Sequence, residues 1–215
     1  MKIGIIGSGI VGRVLGTAFL KEGHEVVLGT RDTSKAEVVK WKNENPKGET
    51  GSFEKAASFG DIIVLTTAGS VVGSAIELAG KGNFTGKTVI DTTNPIAAAP
   101  PVNAVLQYFT NQNESLLQRI QNLLPEANIV KAFNSVGNAV MYKPDYGNIK
   151  PTMFICGNNN EAKKTVTTIL QSFGWETEDL GKAEAAGAIE SLCVLWCIPG
   201  FKNNEWTHAF KLLRK

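Results

Sequence analysis

Apolar positions in this chain alternate between two rhythms, short unbroken runs and longer stretches spaced three and four apart. Lys2–Ile6 is an apolar run that ends in a glycine cluster, after which Val11, Val14, Leu15, Ala18 and Phe19 recur at the spacing of an amphipathic helix. Gly23 suits the end of that helix, and the run Val26-Val27-Leu28 follows at once, so the first segment predicts a strand-helix-strand unit. Residues 32–53 are polar, with a helical piece over Ala36–Trp41 and turn chemistry at Asn45-Pro46-Lys47-Gly48. Asp61–Thr67 and Lys87–Thr93 are β-branched runs of the kind buried on both faces of a parallel sheet. Val71–Leu78 predicts a helix between them, and Asn94-Pro95 closes the second run, because proline cannot continue a ladder.

Residues 96–114 show no sustained period and read as a loop with at most a short helix. Leu116, Leu117, Ile120, Leu123 and Leu124 predict a helix, Asn128–Phe133 a strand, and Met141–Lys150 a connection. Thr152–Cys156 then reads as a strand, Ala162 to Phe173 as a helix and Trp175–Leu180 as a last strand. Ile189, Leu192, Cys193, Trp196 and Cys197 line one helical face, and Trp206, Ala209, Phe210 and Leu213 predict a short terminal helix. Strands alternating with helices throughout imply the α/β class: a Rossmann-type, doubly wound, mostly parallel sheet with a small C-terminal α/β extension. The expected division is a dinucleotide-binding domain over 1–145 and a small subdomain over 146–215.

Composition narrows the function without naming it. The chain has 215 residues, 43% hydrophobic and 20% charged, which is ordinary for a folded globular protein. A net charge of +2 with dispersed basic residues argues against a nucleic-acid binder. Three cysteines and two histidines are too few and too scattered for a disulfide framework or a metal centre, and a reduced cytoplasmic setting is expected. Met1–Ile6 resembles a strand more than a signal peptide, and no apolar run approaches the roughly 20 residues of a membrane span, so no membrane partner is expected.

The candidate chemistry begins at Gly7-Ser8-Gly9-Ile10-Val11-Gly12. A G-x-G-x-x-G sequence is a weak signal alone. Here it follows a predicted strand and opens a predicted helix, the context in which it marks a dinucleotide site. At the end of the second strand, where an NAD binder carries an acidic residue for the ribose, this chain has Gly29-Thr30-Arg31, with Asp32 just beyond. Thr30, Arg31 and Lys35 suit a 2′-phosphate and favour NADP(H). The alternative is that Asp32 takes the ribose and Arg31 is merely solvated. Ligands in such sheets bind beyond the carboxyl ends of the strands, which read Thr66-Thr67-Ala68, Thr92-Thr93-Asn94-Pro95 and Ala132-Phe133-Asn134-Ser135. Thr67, Ala68, Asn94, Pro95, Ala132, Phe133 and Asn134 are therefore candidate cofactor contacts, although the asparagines could simply form turns. No catalytic acid or base is nominated. Tyr146 and Lys150 have a reductase-like spacing, but Pro144, Gly147 and Pro151 argue against the helix it needs; Cys193, Cys197, His24 and His208 read as structural.

Taken together, Ile5 to Gly12, Gly29-Thr30-Arg31-Asp32, Asp91 to Pro95 and Val130 to Val136 resemble the NADP oxidoreductases that depend on a deazaflavin coenzyme, a fold also used as the NADPH-binding domain of membrane metalloreductases. The resemblance implies hydride transfer between nicotinamide and a flavin-like ring, which needs orientation more than a proton donor. It places Thr30, Arg31 and Lys35 on the 2′-phosphate, and Thr67-Ala68 with Ala132 to Asn134 near the nicotinamide ribose and ring. The co-substrate it implies is a small redox molecule, a deazaflavin coenzyme, FMN or FAD, and a homodimer is the expected assembly. Two rivals stay open: a non-catalytic dinucleotide-binding module that senses redox state, and an imine or hydroxyacid reductase, which would need a larger helical domain after the Rossmann unit.

Overall fold

The computed structural model describes residues 1–215. Strands β1 (Lys2–Ile6), β2 (Glu25–Gly29), β3 (Glu49–Gly51), β4 (Ile62–Leu65), β5 (Thr88–Asp91), β6 (Asn128–Lys131), β7 (Thr152–Gly157) and β8 (Glu176–Asp179) form one eight-stranded sheet in the order β3-β2-β1-β4-β5-β6-β7-β8. The first six follow the Rossmann order. Every neighbouring pair is parallel except β6 with β7.

The period of two along each strand divides the interior into two layers. Ile3, Ile5, Leu28, Val64, Ile90 and Val130 point to one face, where a 24-residue core gathers under α1 (Ile10–Lys21), α2 (Ala36–Glu44) and α6 (Asn160–Ser172). Ile6, Val27, Ile63, Leu65, Val89 and Ile129 point to the other, a 23-residue core under α3 (Phe53–Phe59), α4 (Val72–Ala79), α5 (Leu116–Leu123) and α7 (Ala186–Asn203). Because β7 and β8 extend the same sheet, Met153, Ile155 and Val166 share the first core with Ile3 and Ile5. Phe173, at the end of α6, meets Phe19 of α1 at 5.0 Å between ring centroids and Phe133 after β6 at 5.9 Å.

Three features depart from the expected pattern. The polar stretch before residue 61 contains β3 and α3: Ser52 caps α3 by accepting the N–H of Lys55, and only Phe53, Ala56 and Ala57 are buried, too few to mark a helix by periodicity. The terminal helix does not form. Residues 204–215 run as a strap in which Thr152 donates to the Phe210 carbonyl at 2.8 Å and the indole N–H of Trp196 donates to the His208 carbonyl at 2.8 Å. Trp206 and Phe210 pack against Cys193, Trp196 and Cys197 of α7 while Leu213 is exposed, so their helical spacing has no helix to stabilise. Third, Ala183–Asn203 is by length and composition apolar enough to cross a membrane, which the sequence reading did not find because charged residues punctuate it. In this fold 39% of its most apolar 18-residue window is buried, and its Glu190 lies wholly inside.

Candidate functional site

The glycine loop joins β1 to α1 at the carboxyl edge of the sheet, and its three glycines answer to three different demands. Gly7 has φ of 125°, which side chains rarely adopt, and a Cβ there would lie 2.8 Å from the Thr66 hydroxyl. That hydroxyl donates to the Gly7 carbonyl at 2.9 Å and fixes the turn. A Cβ on Gly12 would come within 1.9 Å of the Gly7 carbonyl oxygen, so this position lets α1 approach the loop. At Gly9 a Cβ would meet nothing within 4 Å. No packing within the protein demands glycine there, which is what an approach of ligand to bare backbone would require. The first turn of α1 has no side-chain cap and no acidic residue, leaving its N–H groups free for an anion.

The end of β2 brings Thr30, Arg31 and Lys35 to the cleft. Ser8 donates to the Thr30 hydroxyl at 2.9 Å, and that hydroxyl in turn donates to the Asp32 carbonyl at 3.1 Å, so Thr30 ties the glycine loop to the loop that follows. The Asp32 carboxylate accepts from the Ser34 hydroxyl at 2.6 Å and from the Ser34 N–H at 2.8 Å. These bonds hold its carboxyl below the ordinary carboxylate range and aim it at its own turn. Arg31 and Lys35 stand beside it exposed, without an ion pair or a side-chain hydrogen bond. Two free cations and a committed carboxylate favour a ligand with an extra phosphate.

Gly7, Ser8, Gly9, Thr30, Arg31, Lys35, Thr67 and Ala68 converge on one cleft of about 390 Å³, walled on its apolar side by Phe53, Val71 and Leu78. Ile10 and Val11, which begin α1, are not among the residues that line it, and Ile10 faces the groove between α1 and α2 instead. Thr67 and Ala68, expected near the nicotinamide, thus share a wall with the residues expected to hold the 2′-phosphate. A larger groove of about 570 Å³ opens between α1 and α2 beside Trp41 and Tyr142. It lies on the outer helices, away from the strand ends where this fold binds ligands.

Asn94, Pro95, Ala132, Phe133 and Asn134 sit outside that cleft, at the ends of β5 and β6. The two asparagines are paired: Asn94 Nδ2 donates to the Asn134 carbonyl at 2.7 Å, and Asn134 Nδ2 donates to Asn94 Oδ1 at 3.1 Å and to the Ile189 carbonyl at 2.9 Å. Asn134 Oδ1 and Thr67 Oγ1 are buried acceptors with no partner in the protein, the kind of group a ligand satisfies. The side chains of Ala132 and Phe133, by contrast, point into the core, 0% and 1% exposed. At these two positions only backbone is left to meet a ligand. Phe133 adopts φ of 61°, strained for a bulky residue, and that turn of backbone sends its ring toward Phe173 and carries the chain on to Asn134.

Sequence reasoning missed an ionic group directly beneath this pair. Lys131 Nζ contacts Asp91 Oδ2 at 2.6 Å and Glu190 Oε1 at 2.8 Å, with all three side chains at most 2% exposed. Lys131 also donates to the Thr93 carbonyl at 2.8 Å, while the Leu116 and Leu117 N–H groups, at the start of α5, donate to Glu190 at 3.0 and 3.1 Å. Burial alone would lower the lysine pKa, but Asp91 and Glu190 outweigh it and hold the value above the ordinary one. The available signal was a charged residue inside each buried run, Asp91 after Val89-Ile90 and Lys131 between Val130 and Ala132, since such charges survive only when paired.

Fold and cleft are those of a Rossmann-type dinucleotide-binding protein, and comparison with known proteins finds its similarities among NADP-dependent oxidoreductases. Residues 2–95 match the family described as NADP oxidoreductase, coenzyme F420-dependent, and the chain is similar to members of that family along most of its length. It is 28% identical over 205 residues to the F420-dependent NADP reductase of Methanocaldococcus jannaschii, covering 91% of this chain and 90% of that protein. A solved structure from Arthrobacter sp. FB24, described as a candidate F420-dependent NADP-reductase, covers both chains fully with a TM-score of 0.92 and 29% identity. Metalloreductase STEAP3 of Rattus norvegicus is 29% identical over 211 residues, but the chain spans only 38% of that relative. An imine reductase from Streptomyces aurantiacus shares the fold, with a TM-score of 0.66 at 16% identity, and the chain spans 62% of it.

Proposed function

We propose that this protein transfers hydride between NADP(H) and a small redox co-substrate with a flavin-like ring, a deazaflavin coenzyme, FMN or FAD. The observation that carries the reading is the cleft at the glycine loop. Its floor is bare backbone at Gly9, its end is an uncapped helix N-terminus, and its outer rim holds Arg31 and Lys35 unpartnered while Asp32 is tied to Ser34. Gly7, Ser8 and Gly9 with the first turn of α1 would hold the pyrophosphate, and Thr30, Arg31 and Lys35 the 2′-phosphate. Asn134 Oδ1, buried and unpartnered, would accept from the carboxamide or ribose at the other end.

NADPH, when bound, would supply the hydride. The protein's task is then to bind, orient and exclude water, because hydride passes between two rings without a proton donor. The strand ends carry threonine, asparagine and glycine rather than a free acid or base, in keeping with that task. Steady-state oxidation of NADPH against a panel of deazaflavin coenzyme, FMN and FAD tests the reaction, with turnover expected for at least one acceptor. Binding tests the cofactor: NADPH is expected to bind more tightly than NADH, and Arg31→Ala to erase the preference. Equal affinity for both cofactors in the wild type refutes the NADP assignment, and NADPH binding without turnover on any acceptor replaces the enzyme with a dinucleotide-binding module.

A further inference from the structure

Three charged side chains, Asp91, Lys131 and Glu190, lie wholly inside the protein. Burying an ion costs several kcal/mol even after pairing, and apolar residues of similar volume often replace a buried ionic group with no loss of stability. The position of Asp91, Lys131 and Glu190 therefore calls for another explanation. Lys131 and Asp91 touch the backbone next to Asn94, and Glu190 is the chain neighbour of a residue that holds Asn134. Lys131 holds the Thr93 carbonyl, one residue before Asn94, and Asp91 accepts from the Thr93 N–H and hydroxyl at 2.9 and 2.7 Å. Glu190 follows Ile189, whose carbonyl receives Asn134 Nδ2, and the Tyr108 hydroxyl donates to the Glu190 carbonyl at 2.6 Å. The two carboxylates exceed the one ammonium by a single charge, which the Leu116, Leu117 and Thr93 N–H groups offset. Strand β5, strand β6, α5 and α7 are locked together at one point, and Asn94 and Asn134 sit directly on the lock.

We propose that Asp91, Lys131 and Glu190 are positioning residues for the nicotinamide end of the cofactor, holding the Asn94–Asn134 pair so that the free Asn134 Oδ1 faces the ligand. The proposal rests on the NADP(H) reading and deepens it, since it assigns the discrimination between a whole dinucleotide and its adenosine half to a buried ionic group that touches neither.

The test compares NADPH with adenosine 2′,5′-bisphosphate, which lacks the nicotinamide half, by isothermal titration calorimetry on the full chain. Asp91→Asn and Glu190→Gln keep shape and remove charge, and each is expected to weaken NADPH about tenfold, the scale of one well-made polar contact. The bisphosphate should bind within about twofold of wild type. A variant in which Asp91→Leu, Lys131→Met and Glu190→Leu are combined separates positioning from stability. It is expected to keep the thermal midpoint and bisphosphate binding, since apolar groups can replace buried ions, yet lose the NADPH advantage. NADPH binding at wild-type strength in the folded variants overturns the proposal, as does an equal loss of both ligands. A wild-type protein that binds NADPH no more tightly than the bisphosphate overturns it while leaving the adenosine half of the reading intact. A wild type that binds neither ligand overturns the reading itself.

Discussion

Replacing Gly9 by alanine adds one methyl group at the lip of the cleft, and the structure lets its consequences for folding and binding be worked separately. The backbone at Gly9 has φ of −64° and ψ of −177°, which alanine adopts without strain, and the new Cβ meets no heavy atom within 4 Å. Alanine lowers the entropy of the unfolded chain by about 0.4–1 kcal/mol but is a poorer helix N-cap than glycine by a similar amount, so the two offset within about 1 kcal/mol. For a chain of this length that corresponds to a thermal midpoint within roughly 4 °C of wild type. A bound pyrophosphate packed on the Gly9 backbone would meet the methyl directly. An overpacked contact costs about 1–3 kcal/mol, equivalent to roughly 5- to 150-fold in Kd. Gly12→Ala is the internal control, because its Cβ would come within 1.9 Å of the Gly7 carbonyl oxygen whether or not a ligand is present. It should lower stability by about 3 kcal/mol, or roughly 6–12 °C. Calorimetric titration with NADPH and a thermal scan on the same samples suffice. Unchanged NADPH affinity in Gly9→Ala would refute the reasoning, for it would mean that no ligand approaches the loop where the cleft is open.

Other expectations follow from single features of the fold. Phe173→Ala removes a fully buried ring that touches Phe19, Phe133 and Tyr142, and urea unfolding should show a loss of about 3–5 kcal/mol. The pKa of Lys131 is raised in the fold, so the stability this group contributes is complete below its unfolded value, near 10.5, and is lost as the pH climbs through the higher folded value. Thermal midpoints measured between pH 9 and 12 should fall in wild type, and Lys131→Met should remove that part of the fall; a slope identical in both proteins would contradict the assignment. Thr30→Val leaves Ser8 Oγ and the Asp32 N–H without their shared acceptor and removes a proposed 2′-phosphate contact, and should weaken NADPH by about tenfold and NADH by less. Raising the salt from 50 to 500 mM should weaken NADPH more than NADH, because Arg31 and Lys35 are exposed and therefore screened.

Much of this protein is written locally. The run Lys2–Ile6, the glycines after it and the helical spacing of Val14, Leu15, Ala18 and Phe19 define a strand, a tight turn and a helix with no help from the rest of the chain, because each is a matter of side-chain period and backbone sterics. The β-branched runs at 61–67 and 87–93 implied strands buried on both faces, and with them the parallel, doubly wound sheet. Arg31 and Lys35 could be nominated from sequence because an exposed cation near a glycine loop needs only proximity along the chain. What tertiary structure alone decided depended on partners distant in sequence. Asp32 turned its carboxylate to Ser34, Phe133 turned its ring to Phe173, and the strap after Asn203 found β7 and α7 instead of winding into a helix. The ionic group beneath the asparagines is the plainest case. Asp91, Lys131 and Glu190 come from three elements, and a buried charge carries no local mark of the opposite charge that makes its burial possible.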